Sequence, residues 1–203
     1  QNGKASWLNR VHTTDVYTAK GEMRAVETLA YTIPSEKGWT IGSTTRDITE
    51  RKKISERIRL QGAAIDAAAN AILIADREWT ILYINPAFTK LSGYTLEEAR
   101  GKKPRDILES GNYEQDFYDH IDQTLLAGTV WQGQLTNRRK NGELYIEEMT
   151  ITPVKDDQGK VSHFISMKQD ISDRVARERE LEGVENVSAA LRGVATRAEM
   201  LPI

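Results

Sequence analysis

Residues 131–172 run WQGQLTNRRKNGELYIEEMTITPVKDDQGKVSHFISMKQDIS. Two turn-forming clusters, Lys140-Asn141-Gly142 and Asp156-Asp157-Gln158-Gly159, divide the stretch into three extended runs. Asn-Gly and Asp/Gly-rich turns between such runs are the strongest short-range hairpin signal. The stretch therefore reads as a three-stranded antiparallel meander that stops at Asp170-Ile171-Ser172. Neighbouring side chains on a strand point to opposite faces, so Trp131, Gly133, Leu135 and Asn137 share one side of the first strand. Tyr145, Glu147, Met149 and Ile151 form the same side of the second, apolar apart from one acid. On the third strand parity allows either Phe164, Ser166 and Lys168 or His163, Ile165 and Met167. Both sets hold apolar groups, so both faces of the sheet are expected to be covered.

Residues 1–49 read as a worn copy of this stretch. Trp7 stands about as far before Asp47-Ile48-Thr49 as Trp131 stands before Asp170-Ile171-Ser172. Ala19-Lys20-Gly21-Glu22 mirrors Lys140-Asn141-Gly142-Glu143, and Ser35-Glu36-Lys37-Gly38 mirrors the second turn. The pattern is an internal repeat whose first copy lacks everything that precedes the strands in the second. Three strands alone hardly bury a core. This half domain is expected to pack on its neighbour, on a second chain or on a part further upstream.

A charged helical stretch follows each Asp-Ile-Thr/Ser. Thr49 and Ser172 read as N-caps, because a hydroxyl accepts from the free N–H groups of a first turn. Ile54, Ile58 and Ile65 form one stripe of the first helix, interrupted by Gln61. In the second, Val184, Val187, Leu191, Val194, Ala198 and Leu201 step as a heptad seam. That seam reads as a parallel coiled coil between two chains, with a helix packed on its own domain as the alternative.

Between the two helices, residues 71–75 and 80–84 are apolar and β-branched and read as a hairpin joined by Asp76-Arg77-Glu78-Trp79. Asn85-Pro86 opens a short helix over 86–91, closed by Ser92-Gly93-Tyr94. Thr95-Leu96-Glu97-Glu98 is a capping box for a second short helix that stops at Gly101. A third turn covers 104–108, and residues 114–126 form an amphipathic helix with Phe117, Ile121 and Leu125 inward. His120 sits beside that stripe and reads as an exposed helical histidine.

With 203 residues, a net charge of -2, 29% charged residues and a mean hydropathy of -0.54, the chain suits one domain plus flanking helices. The near-neutral balance gives no electrostatic case for nucleic acid or for a membrane surface. The absence of cysteine removes disulfides and thiolate sites, and fits a cytoplasmic location. No apolar run approaches the ~18 residues of a transmembrane helix. No nucleophile–base pair, metal cluster or phosphate loop is present, so the chain does not read as an enzyme.

The order strand, strand, short helices, long helix, three strands, carried by particular residues, resembles a PAS domain. Those residues are Ile84-Asn85-Pro86-Ala87-Phe88 with Ser92-Gly93-Tyr94, Glu97-Glu98, Gly101-Lys102-Lys103-Pro104 and the run from Leu126 to Gly133. Asn137-Arg138-Arg139-Lys140-Asn141-Gly142 and the closing Asp170-Ile171-Ser172 complete them. The resemblance implies an α+β fold: a five-stranded antiparallel sheet with short helices on one face, enclosing a small pocket. The domains are then 1–49, the C-terminal half of a first PAS domain; 50–66, a linker helix; 67–174, a complete PAS domain; and 175–203, a coiled-coil linker that from Asn186 resembles the opening helix of a GAF domain. The family implies a sensory, signal-transmitting module of a tandem-PAS protein with a histidine kinase or diguanylate cyclase output outside these residues. It also implies a homodimer through the flanking helices. Asp47 and Asp170 are expected to fix the joints between sheet and outgoing helix, with Arg51 and Arg174 one turn on as their partners. A ligand-free dimerisation spacer is the alternative.

Gly-x-x-Pro-Arg, Trp-x-Gly and Asn-Arg-Arg-Lys-x-Gly resemble the flavin-binding redox PAS domains and, more distantly, the light-sensing LOV domains. Pro104 stands where LOV photochemistry needs a cysteine, which excludes that activity. Asn137 matches a residue that reads the flavin ring; Glu147 and Lys168 depart from the amides expected at the other two places. An unpaired buried charge is very costly and a bonded pair can break even. Glu147 and Lys168 are therefore expected to bond to each other across the pocket wall, in the space of a flavin's polar edge. Three readings of the pocket stay open: no tightly bound cofactor, a flavin such as FAD, or another small molecule or haem. Trp131 is either a core aromatic or a ligand-stacking one, and Arg138, Arg139 and Lys140 read as a solvated turn.

Overall fold

The computed structural model describes residues 8–36 and 38–183, in two compact units divided between Ala64 and Ile65. In the first unit β1 (Val11–Tyr17), β2 (Met23–Ser35) and β3 (Gly38–Asp47) form an antiparallel sheet in the order β1-β2-β3. Its turns are the two expected ones, the first tightened by Gly21 at φ 81°. Helix α1 (Thr49–Asp66) follows, with no buried residue; Ile54 and Ile58 are exposed.

The second unit holds β4 (Ala71–Asp76), β5 (Ile81–Ile84), α2 (Pro86–Ser92), α3 (Leu96–Ala99), α4 (Pro104–Leu108), α5 (Gln115–Leu126), β6 (Trp131–Arg138), β7 (Leu144–Lys155) and β8 (Val161–Asp170). The strands form one antiparallel sheet in the order β5-β4-β8-β7-β6, so the first and last strands to form the domain's core lie side by side at its centre. Residues 172–183 continue as a helix, α6.

Local chemistry fixes these elements. Asn85 is fully buried: its Oδ1 accepts from Phe88 N at 2.9 Å to cap α2 and from Ile72 N at 2.8 Å to tie that cap to β4. Pro86 supplies the preset φ of a first helical residue, and Gly93 at φ 81° ends the helix where a side chain would be strained. Thr95 and Glu98 form the expected capping box on α3. The helices bury one sheet face in two clusters. Leu73, Ile81, Phe88 and Leu108 lead the first, and Ile121, Leu125, Leu135, Ile151 and Phe164 the second; Trp79 packs against both.

Phe164, Ser166 and Lys168 are the inward set on β8, and His163 and Met167 face out. The other sheet face is not covered as expected: Met167 is 45% exposed and Ile72, Ile74, Ile146 and Ile165 are half-buried. Parity could not see this, because α2, α3, α4 and α5 all pack on the buried side.

Thr49 and Ser172 differ from the expected N-caps. Ser172 Oγ accepts from Ile146 N on β7 at 2.9 Å, and Thr49 Oγ1 accepts from Ala25 N on β2 at 2.9 Å. The hydroxyls close the sheet instead of the helix, since each lies beside a strand N–H that its own ladder leaves open. The three-stranded order β1-β2-β3 repeats the order β6-β7-β8, and its register can be compared strand by strand. Asp15 faces Ala25 as Thr136 faces Ile146, which carries Trp131 onto Arg10. Trp7 itself, the heptad seam from Val184 to Leu201 and the GAF-like stretch from Asn186 lie outside the described residues.

Candidate functional site

Helices α4 and α5 and the inner face of the sheet border a partly open cavity of about 260 Å³. Leu108, Ile121, Leu135, Met149 and Ile151 give it apolar walls; Asn137, Ser166 and Lys168 give it one polar wall. Pro104, Arg105, Gln115 and Tyr118 line it from the helices. Arg105 bonds Glu109 and Gln115 and lies 4.1 Å from the centre of the Tyr118 ring.

The polar wall is a closed network around Glu147. Its Oε1 accepts from Lys168 Nζ at 2.5 Å and from Asn137 Nδ2 at 2.8 Å, and its Oε2 from Tyr145 OH at 3.0 Å. Lys168 Nζ also lies 3.0 Å from Met149 Sδ. Glu147 is 0% and Lys168 4% exposed, so the charges are out of water and each needs the other. The expected pair across the wall is present. Burial, then the Glu147 charge and hydrogen bond, push the Tyr145 hydroxyl far above its ordinary value, so it stays a donor.

The network runs on to the start of α6. The Arg139 guanidinium lies 4.5 Å from the centre of the Tyr145 ring and donates to Leu91 O and, at 2.5 Å, to Asp170 Oδ2. Asp170 Oδ1 accepts from Ser172 N at 2.9 Å and Ser172 Oγ at 2.7 Å. Burial raises the Asp170 carboxyl, but the Ser172 hydroxyl and N–H and the Arg139 guanidinium outweigh it and hold it below its ordinary value.

Asn137, Glu147 and Lys168 thus come together, and Asp170 joins them through Tyr145 and Arg139. Two partners differ from expectation. Asp170 pairs with Arg139, and Asp47 with Arg24 at 3.1 Å, because both arginines reach along the sheet to the strand end. Arg174 donates instead to Glu148 at 3.2 Å. Arg139 is also no solvated turn residue, its side chain being 19% exposed, and Lys140 bonds Glu98 at 2.5 Å. Trp131 does not line the cavity. Its indole covers Gly133, where a Cβ would meet the ring at 2.6 Å, and meets Phe117 edge-on at 6.2 Å. His120 is exposed.

Sequence reasoning missed Tyr145 and Trp79. On the inward face Tyr145 reads as apolar; an acid two residues on, on the same face, is the signal that its hydroxyl has a partner. Trp79 has φ 65°, a conformation that bulky residues rarely adopt. It stacks on Phe164 at 4.5 Å and donates to Asp122 Oδ1 on α5 at 2.7 Å, both contacts beside the cavity. No local motif foretells that reach.

The model of the PAS domain family matches residues 69–173. The chain belongs to the PAS family. This PAS domain is 38% identical over 117 residues to a nitrogen fixation regulatory protein of Klebsiella oxytoca, covering 58% of this chain and 23% of that protein. It is 32% identical over 143 residues to the bacterioopsin transcriptional activator of Halobacterium salinarum, covering 69% and 21%. The chain spans less than a quarter of the length of these relatives. Among solved structures, an RNA-binding light-oxygen-voltage receptor aligns with a TM-score of 0.55 at 16% identity, over 89% of this chain and 83% of that one. That likeness shows the PAS fold, with a further three-stranded sheet before it in this chain. Among the described residues no helix is long and apolar enough to cross a membrane, and no cluster suits a metal ion.

The residues present do not fit a flavin. The groups that would read its ring are bonded to one another, with Glu147 fully buried behind Lys168 and Asn137.

Proposed function

We propose that this PAS domain is the sensory and signal-transmitting part of a multidomain signalling protein, converting a change at the polar wall of its cavity into a change at the start of α6. One observation carries the reading: an unbroken run of contacts from Lys168 through Glu147, Tyr145, Arg139 and Asp170 to Ser172. An occupant that draws on Lys168 or Asn137 loosens Glu147. Tyr145, Arg139 and the Asp170 joint then have a different set of bonds to satisfy, and the helix start is the element that both ends bias. The exposed Ile54 and Ile58 on α1 support a homodimer through the flanking helices. A histidine kinase or diguanylate cyclase output would receive the signal beyond these residues.

Amide hydrogen exchange tests the relay. Lys168→Met removes the cavity end of the run and is expected to speed exchange at Ile146 and at residues 171–175, as well as around the cavity. A change confined to the cavity would favour the ligand-free spacer, a reading that the complete pairing of Glu147 supports.

A further inference from the structure

Lys168 is the nucleophile that the cavity presents. It is 4% exposed and lines the space, whereas Glu147, bonded to it at 2.5 Å, sits behind it and does not. Asn137 Nδ2 and Tyr145 OH hold the carboxylate from its other sides, at 2.8 and 3.0 Å. An ion pair that only supports the fold has no need of an open space beside its amine, and packed apolar residues often replace such a pair without loss. The wall supplies something more: a buried amine, a fixed proton acceptor one hydrogen bond away, and an apolar space that opens to the surface. Lysines desolvated in such pockets are the ones that condense with carbonyl compounds.

The condensation balances without a co-reactant. A proton passes from Lys168 Nζ to Glu147 along the bond between them, and the freed lone pair attacks an aldehyde carbon. A C–N bond forms as the carbonyl π pair moves onto oxygen. That oxygen leaves as water with the two protons the nitrogen gives up, its C–O bond breaking as C=N forms. Nothing is oxidised or reduced. The iminium carries the same single positive charge as the ammonium, so Glu147 remains its counter-charge and the wall stays neutral.

The lining narrows the aldehyde. Leu108, Ile121, Leu135, Met149 and Ile151 give the space beside Lys168 its apolar walls. Lys103, Arg105, Glu109, Gln115 and Asp122 line it too. Arg105 is paired with Glu109 at 3.3 Å, and Asp122 accepts from Trp79 Nε1 at 2.7 Å. Two cations stand there against two carboxylates, which leaves no net charge to select an ionic ligand.

We infer that Lys168 forms a protonated Schiff base with an uncharged, largely apolar aldehyde that enters this cavity, with Glu147 as the counter-ion. The purpose of the bond rests on the sensory reading, since it changes the group that Glu147 must balance. The bond itself rests on the amine, the carboxylate and the cavity alone.

The test is titration of the chain with p-dimethylaminocinnamaldehyde, whose absorbance moves to longer wavelength when its imine is protonated. Cyanoborohydride then traps the adduct for peptide mapping by mass spectrometry. The expected result is a saturable long-wavelength band and a trapped adduct at Lys168. Lys103→Arg removes the other lysine of the lining and is expected to keep both. Glu147→Leu with Lys168→Met, checked for folding by its urea midpoint, is expected to lose both. Trapping at other lysines with none at Lys168, an adduct without the long-wavelength band, or loss of the band in Lys103→Arg would each overturn the inference. So would a band that survives in the double variant. An adduct at Lys168 without altered exchange at residues 171–175 leaves the Schiff base standing and removes the relay. Altered exchange in Lys168→Met, with no adduct in the native chain, does the reverse.

Discussion

In β2, Val26 faces Asp47 where in β7 Glu147 faces Asp170. The same registers put Thr45 in the place of Lys168, opposite Thr28 and Met149, and Val16 in the place of Asn137. The first sheet thus has none of the polar wall. Its joint is nonetheless the same. Ile48 N donates to Ala25 O at 2.8 Å as Ile171 N does to Ile146 O at 2.9 Å, and each aspartate accepts from the N–H two residues on. Strand end, aspartate and hydroxyl make the joint without help from the interior. The wall is a separate invention, and in the second domain alone Arg139 and Tyr145 tie the two together.

The largest expected effect separates the walls. Lys168→Met leaves Glu147 buried and unbalanced, so the second unit is expected to lose roughly 3–5 kcal/mol in urea unfolding. The matching Thr45→Met in the exposed first sheet is expected to change nothing measurable. Replacing the whole pair, Glu147→Leu with Lys168→Met, is expected to recover most of the loss, because a packed apolar pair needs no counter-charge. If the single and double variants prove equally unstable, the pair is not what holds the wall.

Removing the arginines compares the joints. Arg139→Gln gives up an ion pair, a carbonyl bond and a ring contact on a mostly buried side chain, and a loss of roughly 1.5–3 kcal/mol is expected. Arg24→Gln acts on an exposed ion pair and is expected to leave the thermal midpoint where it is.

A smaller effect is the pH dependence of the joints. The Thr49 hydroxyl, its N–H and Arg24 hold Asp47 below its ordinary value, as Asp170 is held by Ser172 and Arg139. A depressed carboxyl contributes stability that is fully present above its ordinary value of 3.8 and lost as pH falls through the lower folded value. Asp170→Asn is expected to flatten that acid slope in a plot of urea midpoint against pH. At the alkaline end, Tyr145 in the fold titrates far above its ordinary 10.0, so its contribution is complete below pH 10 and declines above it as the unfolded chain ionises. Tyr83, which donates to Asp66 and is pushed up to about 12 by burial first, adds to the same decline. Tyr145→Phe with Tyr83→Phe is expected to remove it.

Turn residues, caps and strand parity were legible because each acts within a few residues of its own position. Lys140-Asn141-Gly142, Thr95 with Glu98, Asn85-Pro86 and the alternation in β6 and β7 need no distant partner to declare themselves. Glu147 with Lys168 was legible for a related reason: once strand neighbours are assigned, two opposite charges on an inward face have only each other. Arg139 was not, because a charged residue beside a turn looks the same in sequence whether it meets water or folds back onto Tyr145 and Asp170. Nor was Trp79, whose partners Phe164 and Asp122 are brought to it by packing. The amino-acid order by itself determined the strands, the repeat and the charges the interior must balance. The tertiary structure decided which sheet face the helices cover, which arginine reaches the joint, and that Ser166 faces an open cavity, since those follow from long-range packing and not from local preference.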